Sequence, residues 1–150
     1  MSAVAEAEGI LSKMIENLGF EASITSNEEG GVPTLEISTE ESSLLIGRRG
    51  ERLEDLQYLV NRILQKKVED PPKIKLDCDG YRAQQEERLA GLAQKLAAKV
   101  KETGRPEHMK PLNSYDRRIV HNALVDDPEV ETTSPSGPSR MKKITIRPVN

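Results

Sequence analysis

A short basic turn is the part of this sequence best suited to hold a charged ligand. Its residues are Leu45, Ile46, Gly47, Arg48, Arg49 and Gly50. Glycine at both ends of a Gly-x-x-Gly step allows a tight turn and the close approach of another backbone. The two residues inside the step are arginine, which is always charged and pairs well with phosphate. Because a turn needs no arginine at its tip, we predict a phosphate-binding turn; an ordinary corner between two helices is the alternative.

Arg117 and His121 form a second pair of candidate ligand-binding residues. They are four residues apart in a predicted helix, so both side chains lie on one face. The segment Asn113–Asp116 opens this helix with the spacing of a capping box, in which Asp replaces the usual Glu. A lone histidine on a helix is more often structural, hydrogen-bonded to a neighbouring carbonyl, and that role is the alternative for His121.

The composition fits one ordinary domain or two small ones within 150 residues. Hydrophobic residues make up 35% and charged residues 31%, and the apolar runs are far too short to span a membrane. The first residues lack the basic and apolar regions of a secretion signal, so we expect a cytoplasmic protein without membrane insertion. Cys78 is the one cysteine, which excludes an internal disulfide and predicts a small apolar residue in a strand.

Charge is distributed unevenly along the chain. Residues 1–41 contain nine Glu and a single base, Lys13, whereas residues 42–150 contain 21 Lys and Arg against 16 Asp and Glu. An acidic first part and a basic remainder suggest a polyanionic partner held on one side of the molecule. A soluble protein with uneven surface charge explains the same numbers, so composition alone does not choose between the two interpretations.

Patterns typical of enzymes and metal sites are weak. The two histidines, His108 and His121, have no Ser or Cys nucleophile elbow beside them, and no phosphate-binding loop ending in Lys-Ser or Lys-Thr is present. Asp77 and Asp79 could ligate a metal, but a strand that ends in an Asp-Gly turn explains them more simply. We therefore predict a non-enzymatic protein with no catalytic residues, no metal site and no cofactor.

The first half of the chain predicts the order helix, strand, strand, helix, turn, helix, strand. Apolar spacing predicts helices over residues 3–18, 41–46 and 51–66, and alternation predicts strands around 20–24, 35–37 and 74–78. Thr39 is the predicted cap of the short helix, and a turn at 27–31 joins the first two strands.

That order, with the Gly-x-x-Gly step between its last two helices, resembles the bacterial, or type II, K-homology (KH) domain over residues 1–79. In that family the turn clamps the backbone of about four nucleotides, and an adjacent apolar groove reads their bases. The resemblance implies that Gly47–Gly50 holds the backbone, with Leu45 and Ile46 supporting it from beneath. Arg52 is close enough to add charge. A chain with 3% aromatic residues suits this mode, since it cannot build the aromatic platform of an RNA-recognition-motif sheet.

The second half predicts a long helix followed by a small mixed unit. The helix covers residues 80–103, with Asp79 as its N-cap and a solvated polar face that includes Arg82. Its predicted apolar stripe consists of Leu89, Leu92, Leu96 and Val100. A short strand at 109–112, the helix that carries Arg117, and strands at 130–133 and 142–147 follow.

Residues 105–148 resemble a nucleic-acid-binding module named for its Arg-x-x-x-His motif, the R-three-H domain. The match rests on the run Asn-Ser-Tyr-Asp-Arg-Arg-Ile-Val-His, a Thr-x-Ser strand end and a basic last strand. In that family the Arg and His lie on an exposed face and contact single-stranded nucleic acid, which implies that role for Arg117 and His121. The candidates for the surrounding basic patch are Arg118, Arg140, Lys142 and Lys143.

A KH domain followed by an R-three-H domain is similar to the bacterial Jag family, also called KhpB or SpoIIIJ-associated RNA-binding proteins. We predict an α+β protein with a KH-like domain at 1–79, a linking helix at 80–104 and an R-three-H domain at 105–150. The additional N-terminal Jag domain that the family often carries is not expected. The resemblance implies two partners, single-stranded RNA and a small KH-domain protein, and a role as an RNA chaperone or post-transcriptional regulator linked to cell envelope growth. Binding of single-stranded DNA and a protein-interaction adaptor are the alternatives.

Overall fold

Two α+β units make up the protein, which confirms the predicted fold class. The structure, a computed structural model, describes residues 2–149, and the division between the units falls between Arg82 and Ala83. The domain boundaries drawn from the sequence, at 79/80 and 104/105, remain predictions. Within residues 2–149, no helix combines the length and the apolar character needed to cross a membrane.

The first unit has the predicted order of elements. They are α1 (Ala3–Asn17), β1 (Ser23–Glu29), β2 (Val32–Ser38), α2 (Ser42–Ile46), α3 (Glu51–Lys67) and β3 (Lys75–Cys78). A single 3₁₀ turn, Arg48–Gly50, joins α2 to α3. In the sheet β2 lies in the middle, antiparallel to β1 and parallel to β3.

One hydrophobic core holds this unit together. The helices α1 and α3 pack on each other, and their apolar faces join the inward side chains of β2 and β3. Its fully buried members include Leu11, Leu35, Ile37, Leu45, Leu53, Val60, Leu64 and Leu76. Cys78 is also buried, and burial, followed by the charges of Asp79 and Asp77, raises the pKa of its thiol to about 12. The thiol therefore stays protonated at neutral pH and serves as the small apolar residue predicted for it.

Two local predictions in this unit are wrong. The hairpin loop contains only Gly30 and Gly31, because two-residue loops are the commonest hairpin connection and let the strands pair up to the loop. Thr39 does not occupy the N-cap of α2, a position that Glu41 takes without a side-chain bond. The Thr39 hydroxyl instead donates to the carbonyl of Glu21 at 2.9 Å and accepts from the N–H of Glu41 at 3.3 Å, so it ties the end of β2 to the segment before β1.

The second unit is built on a long helix and a small sheet. Its elements are α4 (Tyr81–Thr103, whose first two residues belong to the first unit), β4 (Glu107–His108), α5 (Ser114–Leu124), β5 (Val130–Thr133) and β6 (Thr145–Pro148). The strand β6 lies between β4 and β5, antiparallel to both. The predicted strand at 109–112 forms two residues earlier, and only a single bridge from Leu112 to Lys142 remains of it.

The buried face of α4 differs from the predicted stripe. Leu89 and Val100 are buried as expected, but Ala93 and Ala97 lie between them in the core. Leu92 is 42% exposed, so its predicted place in the stripe is wrong. The large leucines dominated the sequence pattern, whereas the face that meets the core uses small alanine side chains.

The start of α4 also differs from the prediction. Asp77, and not Asp79, accepts a hydrogen bond from the first turn, at 3.1 Å from the N–H of Arg82. The side chain of Arg82 was predicted to be solvated, but it is buried. Its guanidinium donates to the Leu76 carbonyl at 2.6 Å, to Glu54 at 3.0 Å and to Gln57 at 2.9 Å. Arg82 therefore links α3 to β3, a role that its neighbours in the sequence do not indicate.

Candidate nucleic-acid interface

Gly47 lies where only glycine fits. Its φ of 75° and ψ of −176° fall in a region that other residues rarely adopt. A Cβ added there would lie 2.8 Å from Cγ of Arg52 and 3.1 Å from its backbone nitrogen. The turn therefore lies directly against the first turn of α3, and Gly47 is required by both backbone conformation and space.

Replacing Gly47 by alanine should destabilise the protein by about 2 kcal/mol or more, since a strained backbone costs roughly 1–3 kcal/mol and the new methyl group also meets Arg52. Urea unfolding of the variant measures this loss. Gly9→Ala is the matched control, because Gly9 lies inside α1 with open space around its Cβ position and should become about 0.5–1 kcal/mol more stable. Wild-type stability in the Gly47 variant would contradict the described geometry.

Gly50 closes the turn beneath a tyrosine. Gly50 is buried with φ of 77°, and an added Cβ would lie 2.8 Å from Cε2 of Tyr81. Tyr81 belongs to the start of α4, far along the chain, so no spacing pattern connects it to the turn. Leu45 and Ile46, the predicted supports, are buried in the core directly before the turn. The turn is thus fixed from several elements of the first unit.

The two arginines occupy the tip of this turn. Arg48 is exposed, and Arg49 is half-buried in a left-handed conformation, with φ of 57° and ψ of 25°. That conformation costs a non-glycine residue about 1–2 kcal/mol, and glycine or asparagine would adopt it more readily. An arginine held there at such a cost suggests that its side chain has a function.

Arg52 and Glu51 lie at the start of α3, directly after the turn, and differ in charge. The Nη1 atom of Arg52 donates to the Leu44 carbonyl at 2.7 Å, so this arginine caps the end of α2 as well as adding charge. Glu51 is the first residue of α3 and is exposed. Because its carboxylate opposes an anion at the helix N-terminus, Arg48 and Arg49 remain the candidates for contact with a phosphate.

The second candidate surface is built on α5. Asn113 is the N-cap, as predicted, and its side chain accepts from the N–H of Asp116 at 2.8 Å. Arg117 is half-buried, and its Nη1 donates to the carbonyls of Leu112 at 2.7 Å and Arg140 at 3.5 Å. A guanidinium has five N–H donors, so these two bonds fix the side chain in place and leave donors for a ligand.

His121 is exposed on the same face and is oriented by a threonine. Its Nδ1 lies 2.7 Å from the hydroxyl of Thr132 in β5. With Nδ1 engaged, Nε2 is the ring nitrogen that remains for a ligand. Thr132 was not among the predicted site residues, because the contact between α5 and β5 arises from tertiary packing.

The remaining basic candidates lie around these residues. A backbone bridge between Leu112 and Lys142, with N–O distances of 2.9 and 3.0 Å, places Lys142 next to the carbonyl that Arg117 binds. The guanidinium of Arg117 also reaches the carbonyl of Arg140, so the backbones of Arg140 and Lys142 lie beside the side chain of Arg117. Lys143 and Arg118 are exposed, Lys143 next in the chain and Arg118 on α5.

The aspartates considered as metal ligands bind backbone groups instead. Asp77 accepts from the N–H groups of Cys78 and Arg82, and Asp79 accepts from that of Thr39. Among the side chains that the structure describes, no group of three or more His, Cys, Asp or Glu is arranged to hold a metal ion.

Comparison with known protein families defines the class of the second unit. The family model described as the R-three-H domain matches residues 87–148. This match begins within α4 and includes most of that helix.

Curated relatives then identify the family of the chain. The RNA-binding protein KhpB of Clostridium symbiosum is 38% identical over 118 residues, which cover 79% of this chain and 53% of that protein. Proteins of the same name from Bacillus subtilis and Lactiplantibacillus plantarum are 29% and 28% identical, over 81% and 91% of this chain and 58% and 43% of their own length. The chain spans about half the length of the curated relatives it matches. It belongs to the KhpB, or Jag, family.

Proposed function

We propose that this protein binds single-stranded RNA and catalyses no reaction. The observation that carries the proposal is the turn Gly47–Gly50, whose two glycines have no room for a side chain and whose tip consists of two arginines. Packing against Arg52 and Tyr81 explains the glycines, but a surface corner does not need two arginines at its tip, which supply the charge that pairs with a phosphate. The name of the relatives, RNA-binding protein KhpB, favours RNA over DNA as the ligand.

In this proposal the turn contacts phosphates, and the neighbouring apolar surface contacts bases. The exposed side chain of Leu44, on α2 directly before the turn, is available for such a base contact. Contacts to phosphate give affinity with little sequence preference, and they weaken as salt concentration rises. Arg117 and His121 form the second contact, with Arg118, Arg140, Lys142 and Lys143 as the surrounding positive charge.

Fluorescence anisotropy with labelled single-stranded RNA, single-stranded DNA of the same sequence and double-stranded RNA tests this function. We expect saturable binding to single-stranded RNA, weaker binding to the duplex, and an affinity that falls steeply with salt. Tighter binding to the DNA strand would replace RNA with DNA as the ligand. The proposal is wrong if no strand binds at moderate salt.

A substitution tests the role of His121. With Nδ1 held by the Thr132 hydroxyl, Nε2–H can donate a hydrogen bond to a phosphate. His121→Ala should therefore weaken binding of single-stranded RNA about tenfold. His108→Ala is the matched control, since His108 also bonds a threonine through Nδ1, at 2.9 Å from Thr145. Wild-type affinity in the His121 variant would leave this residue a structural role.

The cellular role that we propose follows from the family. It is that of a cytoplasmic RNA chaperone or post-transcriptional regulator linked to cell envelope growth, acting with a small KH-domain protein. Pull-down from cells with and without RNase treatment checks the partner. A protein partner that survives RNase treatment binds this chain directly, whereas one that is lost shares only the RNA.

A further inference from the structure

We propose that a groove between α4 and α5 holds one unpaired base of the bound strand, stacked on Tyr115. The groove has a volume of about 490 Å³ and lies wholly within the second unit. Its lining includes Glu86, Ala90, Tyr115, Arg118, Ile119 and Asn122. This inference rests on the RNA binding proposed above and assigns to the second unit a site for a base, in addition to its phosphate contacts.

Arg118 links the groove to His121, because it lines the groove and is three residues from His121 on the same helix. Arg118 is three residues from both His121 and Tyr115 and four from Asn122, so these side chains are neighbours on α5. Arg118 therefore belongs to the basic patch and to the groove at once. A strand whose phosphate is held by His121 and Arg118 can place an adjoining base in the groove.

The groove lining suits a base better than a phosphate. Tyr115 is 39% exposed in a chain with few aromatic residues, and an aromatic ring stacks on any base. Ala90 and Ile119 add apolar surface for the flat face of the ring system. The carboxylate of Glu86 repels a phosphate, so the backbone is expected to remain on the Arg118 side.

The polar groups of the groove also predict a preference among bases. A carboxylate is acceptor-only and binds the exocyclic amino group of a base such as cytosine, whereas uracil presents a carbonyl oxygen at that position. Asn122 can donate and accept and so imposes no such choice. The expected ligand is therefore an unpaired base that carries an amino group.

A tryptophan reporter and abasic RNA test the stacking directly. The chain contains no tryptophan, so Tyr115→Trp places a single one in the groove. Its fluorescence should be quenched by a short mixed-sequence single-stranded RNA, but not by the same strand made fully abasic. Tyr115→Ala should weaken binding of the intact RNA about tenfold, the order expected for the loss of one stacked base. The same variant should bind the abasic strand as the wild type does, and Tyr115→Phe should retain wild-type affinity.

A second exposed tyrosine provides the control. Tyr58 is 67% exposed on α3, and Tyr58→Ala should bind both the intact and the abasic RNA with wild-type affinity. If Tyr115→Ala fails to fold, the quenching of Tyr115→Trp fluorescence still tests the stacking.

Equal quenching of Tyr115→Trp by intact and abasic strands overturns the base site alone. An equal loss of affinity for both strands in Tyr115→Ala does the same. Absence of all RNA binding by the wild type overturns the proposed function and the base site together. The wild type should bind oligocytidine more tightly than oligouridine, and Glu86→Gln should remove this difference. Equal affinity of the wild type for the two strands overturns the amino-group preference.

Discussion

Replacing Arg48 and Arg49 together by aspartate should lower the affinity for single-stranded RNA by at least about a hundredfold. Hydrogen bonds to charged groups contribute about 1.5–3 kcal/mol each, and every 1.4 kcal/mol corresponds to roughly a factor of ten in affinity. The new carboxylates also repel phosphate. The slope of log affinity against log salt should fall by about 1.4, because each lost phosphate contact on a single strand accounts for about 0.7.

The fold should survive this double substitution. Arg48 is exposed, and substitutions at such positions usually change stability by less than about 0.5 kcal/mol. Arg49 has left-handed backbone angles, which aspartate adopts more readily than arginine. Circular dichroism and the unfolding midpoint should therefore match those of the wild type.

A charge-matched variant separates the turn from the overall charge. Arg62 and Lys66 are exposed on α3, and the side-chain contact of Arg62 is with Gln65 of the same helix, at 3.4 Å. Arg62→Asp with Lys66→Asp changes the net charge by the same amount and should affect binding much less. An equal loss in both double variants would attribute binding to net charge, and the turn would lose its special role.

The second large effect concerns strand length. If both contact sites bind one strand, the intact protein should gain about a hundredfold in affinity once the RNA is long enough to reach both, because the second contact then forms at high effective concentration. Affinity measured against a series of RNA lengths should show this step. A protein that binds all lengths alike has sites that act independently.

Site-directed variants of the intact chain are the appropriate comparison. A cut after residue 79 would remove Arg82, whose guanidinium bonds Glu54 and Gln57 in the first unit. The double variant at Arg48 and Arg49 disables one site, and Arg118→Asp with His121→Gln disables the other. Each should lose the length-dependent step and retain weak binding to short strands. A step that persists in either variant would contradict the two-site account.

Local sequence patterns were sufficient for the order of the elements. Period-four apolar spacing marked α1 and α3, and alternation marked β2 and β3, because these elements each bury one face against a core. The cap at Asn113 followed from the capping-box spacing of Asn113 and Asp116, which is local to the chain. The turn at Gly47 was predictable because its glycines and arginines are consecutive in the chain.

Contacts between distant segments were not predictable in this way. Two of them, the ring of Tyr81 over Gly50 and the hydrogen bond between Thr132 and His121, join residues that are far apart in sequence. Arg82 is buried although its charge predicts exposure. The buried face of α4 was misjudged for a related reason. Hydrophobicity favours Leu92 over Ala93, but the space beside the helix decides which side chain is buried, and only the fold defines that space.

An NMR titration of the intact protein with a short single-stranded RNA tests the central claim most directly, because backbone amide signals report contact residue by residue. The account predicts saturable shifts concentrated at Gly47, Gly50 and the first turn of α3, with a second group on α5 around Arg117 and His121. The same titration of the Arg48→Asp, Arg49→Asp variant should lose the first group and keep the second. Saturable RNA binding that leaves the amide signals of Gly47–Gly50 unmoved would contradict the assignment of this turn as the main RNA contact.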